Sequence, residues 1–139
     1  MSVIEEALVA RLAADNTVKA AVAARIYPLA APQGAAMPFL TYQRISGPRE
    51  HTHDRAGDLA RPRFQFTAVA ATYSAAKALI NAVRTSLDNF RGTLSGVTVD
   101  GIYVENESDV FNLASDQSKT SYATWLDCVV WHHEYATSG

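Results

Sequence analysis

The stretch from Thr72 to Phe90 constrains the fold of this chain most. Tyr73, Ala76, Ile80, Val83, Leu87 and Phe90 recur at three- and four-residue steps, with Leu79 beside the stripe. Ser74, Lys77, Asn81, Arg84, Thr85 and Asp88 fall on the other side. That spacing predicts an amphipathic helix with one face committed to a core. Thr72 suits its N-cap, because the hydroxyl can accept a backbone N–H left free in the first turn. Gly92 stands just past the end, where a left-handed residue often stops a helix. Arg84 and Arg91 suit the negative end of the helix dipole.

Alternating segments flank this helix. In Arg63–Ala70, Phe64, Phe66, Ala68 and Ala70 alternate with Arg63, Gln65, Thr67 and Val69, the mark of a half-buried strand. Phe39–Ser46, Val97–Val110 and Thr120–His133 read as strands too. The first strand follows a connector, Arg25–Pro38, with three prolines and a glycine, whose path should be fixed by packing of Ile26, Tyr27 and Leu29. Before it, Ser2–Ala14 reads as a helix with Ser2 and Glu5 placed as a capping box, and Thr17–Ala24 as a shorter one after a break at Asp15 and Asn16. The expectation is one α+β domain over residues 1–139, in the order α-α-β-β-α-β-β. Its long central helix and N-terminal helices pack on a mainly antiparallel, four-stranded sheet. Asp100-Gly101 is either a tight hairpin turn or a bulge in one long strand; three-residue hairpin arms would be short, which favours the bulge.

Composition narrows the function classes. The chain has 139 residues, 48% hydrophobic and 19% charged, as a globular domain does. A formal charge of −2 gives no bulk attraction to nucleic acid. One cysteine, Cys128, leaves no internal disulfide. No apolar run is long enough to span a bilayer, and Glu5 and Glu6 stand where a signal peptide would carry positive charge.

Chemistry is sparse. His51, His53 and Asp54 are metal-ligand types in a polar stretch, Gly47–Pro62, with no further partner in sequence, so a solvated loop is the plainer reading. His132 and His133 adjoin in a strand and therefore point to opposite faces. Cys128 sits on an apolar face and reads as a core residue rather than a nucleophile. No nucleophile elbow or phosphate-binding loop occurs. The residues point to no enzyme, no metal and no cofactor. Two features ask for partners. Trp125, Val129 and Trp131 form an apolar second face on the last strand, to be covered by the N-terminal helix or by another subunit. Glu105, Glu107 and Asp109, two apart, would share one acidic face if their strand stays regular, either solvated or repelling phosphates.

The block RIYPLAAPQGAAMPFLTYQRISG (Arg25–Gly47) resembles the corresponding segment of the tail-completion proteins of long-tailed bacteriophages, also called tail-terminator or tail-to-head joining proteins. The likeness continues through ARPRFQFTAVAATYSAAKALINAVRTSLDNF and RGTLSGVTVDGI, and resumes at YATWLDCVVWHH, so nearly the whole chain is covered in order. None of this is a catalytic fingerprint. The resemblance implies a structural protein made in the bacterial host cytoplasm and placed at the head–tail junction of the virion, with homologues in prophages and gene-transfer particles. It implies a hexameric ring that caps the head-proximal end of the tail tube, stops its growth and joins the head connector around a DNA channel. Its partners would be copies of itself, the major tail tube protein, head–tail connector proteins and DNA passing without sequence-specific binding, with no membrane. Another head–tail connector or adaptor protein is the nearest alternative, and a small ligand-binding or enzymatic α+β domain a more distant one.

The resemblance fixes no contact residues; these come from the loops and faces above. Trp125, Val129 and Trp131 are expected at the subunit interface. Two polar loops, Gly47–Pro62 and Phe111–Lys119, are expected to meet tube or connector through Arg49, Glu50, His51, His53, Arg55, Phe111 and Asn112. Glu105, Glu107 and Asp109 are expected to line the channel.

Overall fold

A computed structural model describes residues 3–46, 59–113 and 120–133. Three helices and seven strands follow in the order α1 (Val3–Ala14), α2 (Asn16–Val22), β1 (Ile26–Pro28), β2 (Phe39–Ser46), β3 (Leu59–Ala60), β4 (Arg63–Ala70), α3 (Tyr73–Leu87), β5 (Gly92–Leu94), β6 (Val97–Leu113) and β7 (Thr120–His133). The expected strands are present within a seven-stranded sheet ordered β1-β2-β4-β7-β6-β5, with β3 pairing β7 beside that path. The four-stranded count is therefore corrected. β1, β3 and β5 are two or three residues long, too short to show alternation in sequence. All pairings are antiparallel except β1 with β2.

The central helix is shorter than Thr72–Phe90. Thr72 caps it, its hydroxyl accepting the Ala75 N–H at 3.1 Å. The left-handed residue after it is Asn89 (φ 63°), three positions before Gly92. Asp15 is a cap rather than a break: its carboxylate accepts the N–H groups of Thr17 and Val18 and starts α2. Ser2 lies outside the described residues. Ser95 and Gly96, both at positive φ, turn β5 into β6 as a two-residue hairpin loop of the kind that twists with its strands.

All three helices cover the same face of the sheet. Phe64, Phe66 and Ala68 of β4 and Leu126, Cys128 and Val130 of β7 are buried in one cluster with Ile4, Leu8 and Leu12 of α1, Val18 and Val22 of α2, and Leu79, Ile80, Val83 and Leu87 of α3. Alternation along β4 is unbroken, with Phe64, Phe66, Ala68 and Ala70 buried and each intervening residue partly exposed. The connector takes a fixed path, since the Arg25 guanidinium donates to Pro38 O (2.9 Å) and Ala21 O (3.2 Å). Ile26 packs against the core and Tyr27 meets Phe39 edge to face. Leu29 does not pack: it stands 72% exposed in a left-handed conformation.

His132 is 2% exposed, and neither ring nitrogen has a hydrogen-bond partner among the described residues. Burial pushes its pKa below the ordinary histidine value; the backbone of neighbouring His133 and the Glu5 carboxylate of α1 oppose this, and the charges of Arg44 of β2 and of the His133 side chain reinforce it. A folded-state value below the unfolded one means the unfolded chain binds the extra proton. The protein is then expected to keep this stability above about pH 6.5, the unfolded histidine value, and lose it as pH falls toward the lower folded-state value. Urea melts from pH 7.5 to 5 should show that slope, and His132→Leu should flatten it. Phe66→Ala, by opening a cavity in the cluster, should cost about 3–5 kcal/mol in the same assay.

Candidate assembly surface

With the helices on one face, the other face of the sheet has no cover among the described residues. Register places its side chains in transverse rows. Thr41 of β2, Thr67 of β4, Trp125 of β7 and Ser108 of β6 form one; Gln43, Gln65, Asp127 and Asn106 form the next. Arg63, Val129 and Tyr103 follow, then Trp131 opposite Gly101. Trp125, Val129 and Trp131 are thus brought together on the uncovered face, each only partly exposed. Of the two covers left open by sequence, the N-terminal helix is excluded: α1 packs on the opposite side with Leu8 and Leu12 in the core.

Tyr103, 40% exposed, extends the aromatic surface. Its ring lies over Gly101, where any Cβ would collide with it. The Arg61 guanidinium lies 5.5 Å from the Trp131 ring centre. Asp100-Gly101 is a bulge in β6, not a turn: register shifts between Val99 and Gly101 while the strand runs on.

A second register shift, between Val104 and Asn106, parts the three acids. One extra residue at the bulge flips the side-chain phase, so the shared acidic face does not form. Glu105 projects on the uncovered face, where Arg63 donates to it at 2.7 Å and reaches Asp127 at 3.4 Å. Glu107 and Asp109 project on the helix side. Arg84 Nε lies 2.9 Å from Glu107, and Lys77 Nζ 3.3 Å from Asp109. Tyr73 donates its hydroxyl to Asp109 at 2.6 Å, which holds that carboxyl below its ordinary value and Tyr73 above its own. Tyr73 is consequently 48% exposed, off the core stripe where its spacing put it. Each of the three acids has a cation partner within the chain, Glu105 sharing Arg63 with Asp127, an arrangement unlike a bare anionic lining.

Phe111 and Asn112, expected in a loop, belong to β6, paired with Tyr122 and Ser121 of β7. The hairpin ladder carries the strand through a polar sequence that lacks alternation. Arg49, Glu50, His51, His53 and Arg55 lie outside the described residues. No group of three or more His, Cys, Asp or Glu side chains that could hold a metal occurs among the described residues. Burial raises the Cys128 pKa to about 12, so its thiol stays protonated and unreactive at neutral pH.

The comparisons with known proteins decide the family. The model for "Tail completion protein gp17" matches residues 6–119. The chain belongs to that bacteriophage family. It is a structural tail protein, as the Arg25–Gly47 block and the order of the later segments imply. Among solved structures, the fold is similar to a chain from the virion of a native gene transfer agent particle: TM-score 0.68, 19% identity, 94% of this chain and 92% of that one. A second solved chain matches with TM-score 0.61 at 15% identity, over 95% of this chain and 94% of its own. At such identities the likeness concerns the fold. No curated protein matches the sequence.

Sequence reasoning missed the polar side of α3 as a contact surface. Tyr73, Lys77, Arg84 and Asp88 lie on one line of the helix and meet Asp109, Glu107 and the Val104 N–H in turn. The signal was the i, i+4 step from Tyr73 to Lys77 and that from Arg84 to Asp88, opposite a strand with acids two apart. On the uncovered face, Asp127 is only 7% exposed and depends on Arg63. Arg63→Met should therefore destabilise the chain by about 1–2 kcal/mol, because it strands a desolvated carboxylate. Glu105→Gln, which removes the more exposed partner, should cost less than about 1 kcal/mol. Urea denaturation of both variants checks the order.

Proposed function

We propose that this tail completion protein works as one subunit of a ring, most simply a hexamer, on the head-proximal end of the tail tube. The ring ends tube growth and presents the surface to which the head connector docks, with a central channel for DNA. The observation that carries this reading is the sheet face left bare by all three helices, bearing Trp125, Val129, Trp131 and Tyr103. Partly exposed aromatics grouped on one face are the usual make-up of a protein–protein contact, and membership of a tail completion family supplies the assembly. A ring needs two different surfaces on each copy, so that the contact is head-to-tail and closes by rotation. The aromatic face is one of them.

The tube protein and the connector are the other partners, met through the segments that carry Arg49, Glu50, His51, His53 and Arg55 and through the β6–β7 hairpin with Phe111 and Asn112. DNA passes as cargo, with a formal charge of −2 giving the ring no bulk pull on phosphates. Glu105, Glu107 and Asp109, each paired to a cation, would contribute to the channel wall only where a pair opens in the assembly.

Light scattering across a concentration series tests the reading. The wild type is expected to approach about six times its 15.0 kDa chain mass. Trp131→Glu should lower that mass while leaving the far-ultraviolet circular dichroism unchanged. A Trp131→Glu variant with the wild-type mass would overturn the assignment of this face.

A further inference from the structure

The open edge of β6 is distinct from the aromatic face and takes in Phe111 and Asn112, which the ring reading gives to the tube or connector. β6 borders β5 only over Val97–Val99. Beyond that, the segment after α3 takes over its outer side. Asn89 N–H donates to Ile102 O at 2.7 Å, Ile102 N–H to Phe90 O at 3.1 Å, and Val104 N–H to Asp88 Oδ1 at 3.0 Å. Past Val104 no strand among the described residues pairs with this side, although β7 holds the other side as far as Leu113. Backbone groups in an antiparallel pair alternate between facing the partner and facing away. Counted from Ile102 and Val104 and carried across the bulge, the outward set becomes Glu107, Asp109 and Phe111. An edge of this length is a template for another strand.

Charge selects the occupant. Beside the edge runs a groove of about 300 Å³ lined by Arg84, Asp88, Val104, Glu105, Asn106 and Glu107. Arg63 and Arg84 pair with Glu105 and Glu107, while Asp88 has no cation partner among the described residues, so the groove is left net negative. Two β6 edges from separate copies would set the acids between Glu105 and Asp109 against each other, which disfavours a two-fold strand pair. The opposite edge of the sheet is also a poor match, since β1 offers only Ile26–Pro28 and its proline has no N–H. We infer that the β6 edge from Glu105 to Leu113 receives an extended, basic segment of a different protein as an added strand. Backbone hydrogen bonds to Glu107, Asp109 and Phe111 hold the segment, and its lysines or arginines face the groove. This inference does not depend on the aromatic subunit contact, because the edge is separate from that face, and it deepens the reading of Phe111 and Asn112 as a partner-binding stretch.

The probe is a blocked peptide of alternating lysine and valine, about eight residues long, with a glutamate–valine peptide as control. Amide hydrogen exchange of the full-length protein is the readout. The lysine peptide should slow exchange at residues 107, 109 and 111 by at least about tenfold, and the glutamate peptide should not. Glu107→Pro removes an outward N–H without touching the ladder to β7, and should abolish the protection. Glu107→Gln keeps the N–H and should weaken binding only a few-fold. Equal response to both peptides, protection elsewhere than on β6, no protection at millimolar peptide, or full binding by a folded Glu107→Pro variant would each overturn the inference.

Discussion

The match between the period of α3 and the alternation of β4 and β7 is what the rest of the structure depends on. Ile80, Val83 and Leu87 meet Phe64, Phe66, Leu126 and Cys128 in one buried cluster. A helix stripe needs a sheet face to bury it, and this sheet has one face that is apolar at every second residue. Once α3 takes that face, α1 and α2 close the layer around it, with Leu8, Leu12, Val18 and Val22 buried beside it. Among the described residues no helix remains for the other face. There the tryptophans are left uncovered, which a second chain can make good.

The bulges give the same sheet its second property. Without the extra residue at Glu105, the three acids would sit in one row, as their spacing suggests. With it, one acid serves Arg63 and Asp127 on the uncovered face, and two hold the hairpin to the polar side of α3. The charges in this region thus order the chain internally. They also explain how a strand as polar as the second half of β6 stays in a sheet. Its contacts come from the ladder to β7 and from paired side chains rather than from an apolar face of its own.

How far the sequence could be read follows the same physics. β4 and the buried face of α3 were legible because each repeats its period over eight or more residues, and Thr72 marked the helix start by its capping chemistry. β1, β3 and β5 were not, because two or three residues carry no period and are held by register with distant strands. The bulge at Asp100-Gly101 was visible through its glycine. The one at Glu105 was not, since no glycine or proline marks it and only the pairing with Cys128 and Asp127 defines it. The grouping of Trp125, Val129 and Trp131 was read correctly from alternation, whereas their freedom from α1 is a matter of tertiary packing. Tyr73 shows the limit of periodicity: its position put it in the core, and a hydrogen bond to Asp109 took it out.

The chain has only two tryptophans, and both project from the uncovered face, so intrinsic fluorescence reports on that face alone. The most direct measurement is tryptophan emission and acrylamide quenching, followed as the protein is taken from dilute to concentrated solution and then onto tail tubes. A blue shift with a fall in quenching, in step with assembly, is the result that follows if this face is the buried subunit contact. Assembly with unchanged emission and unchanged quenching would contradict it.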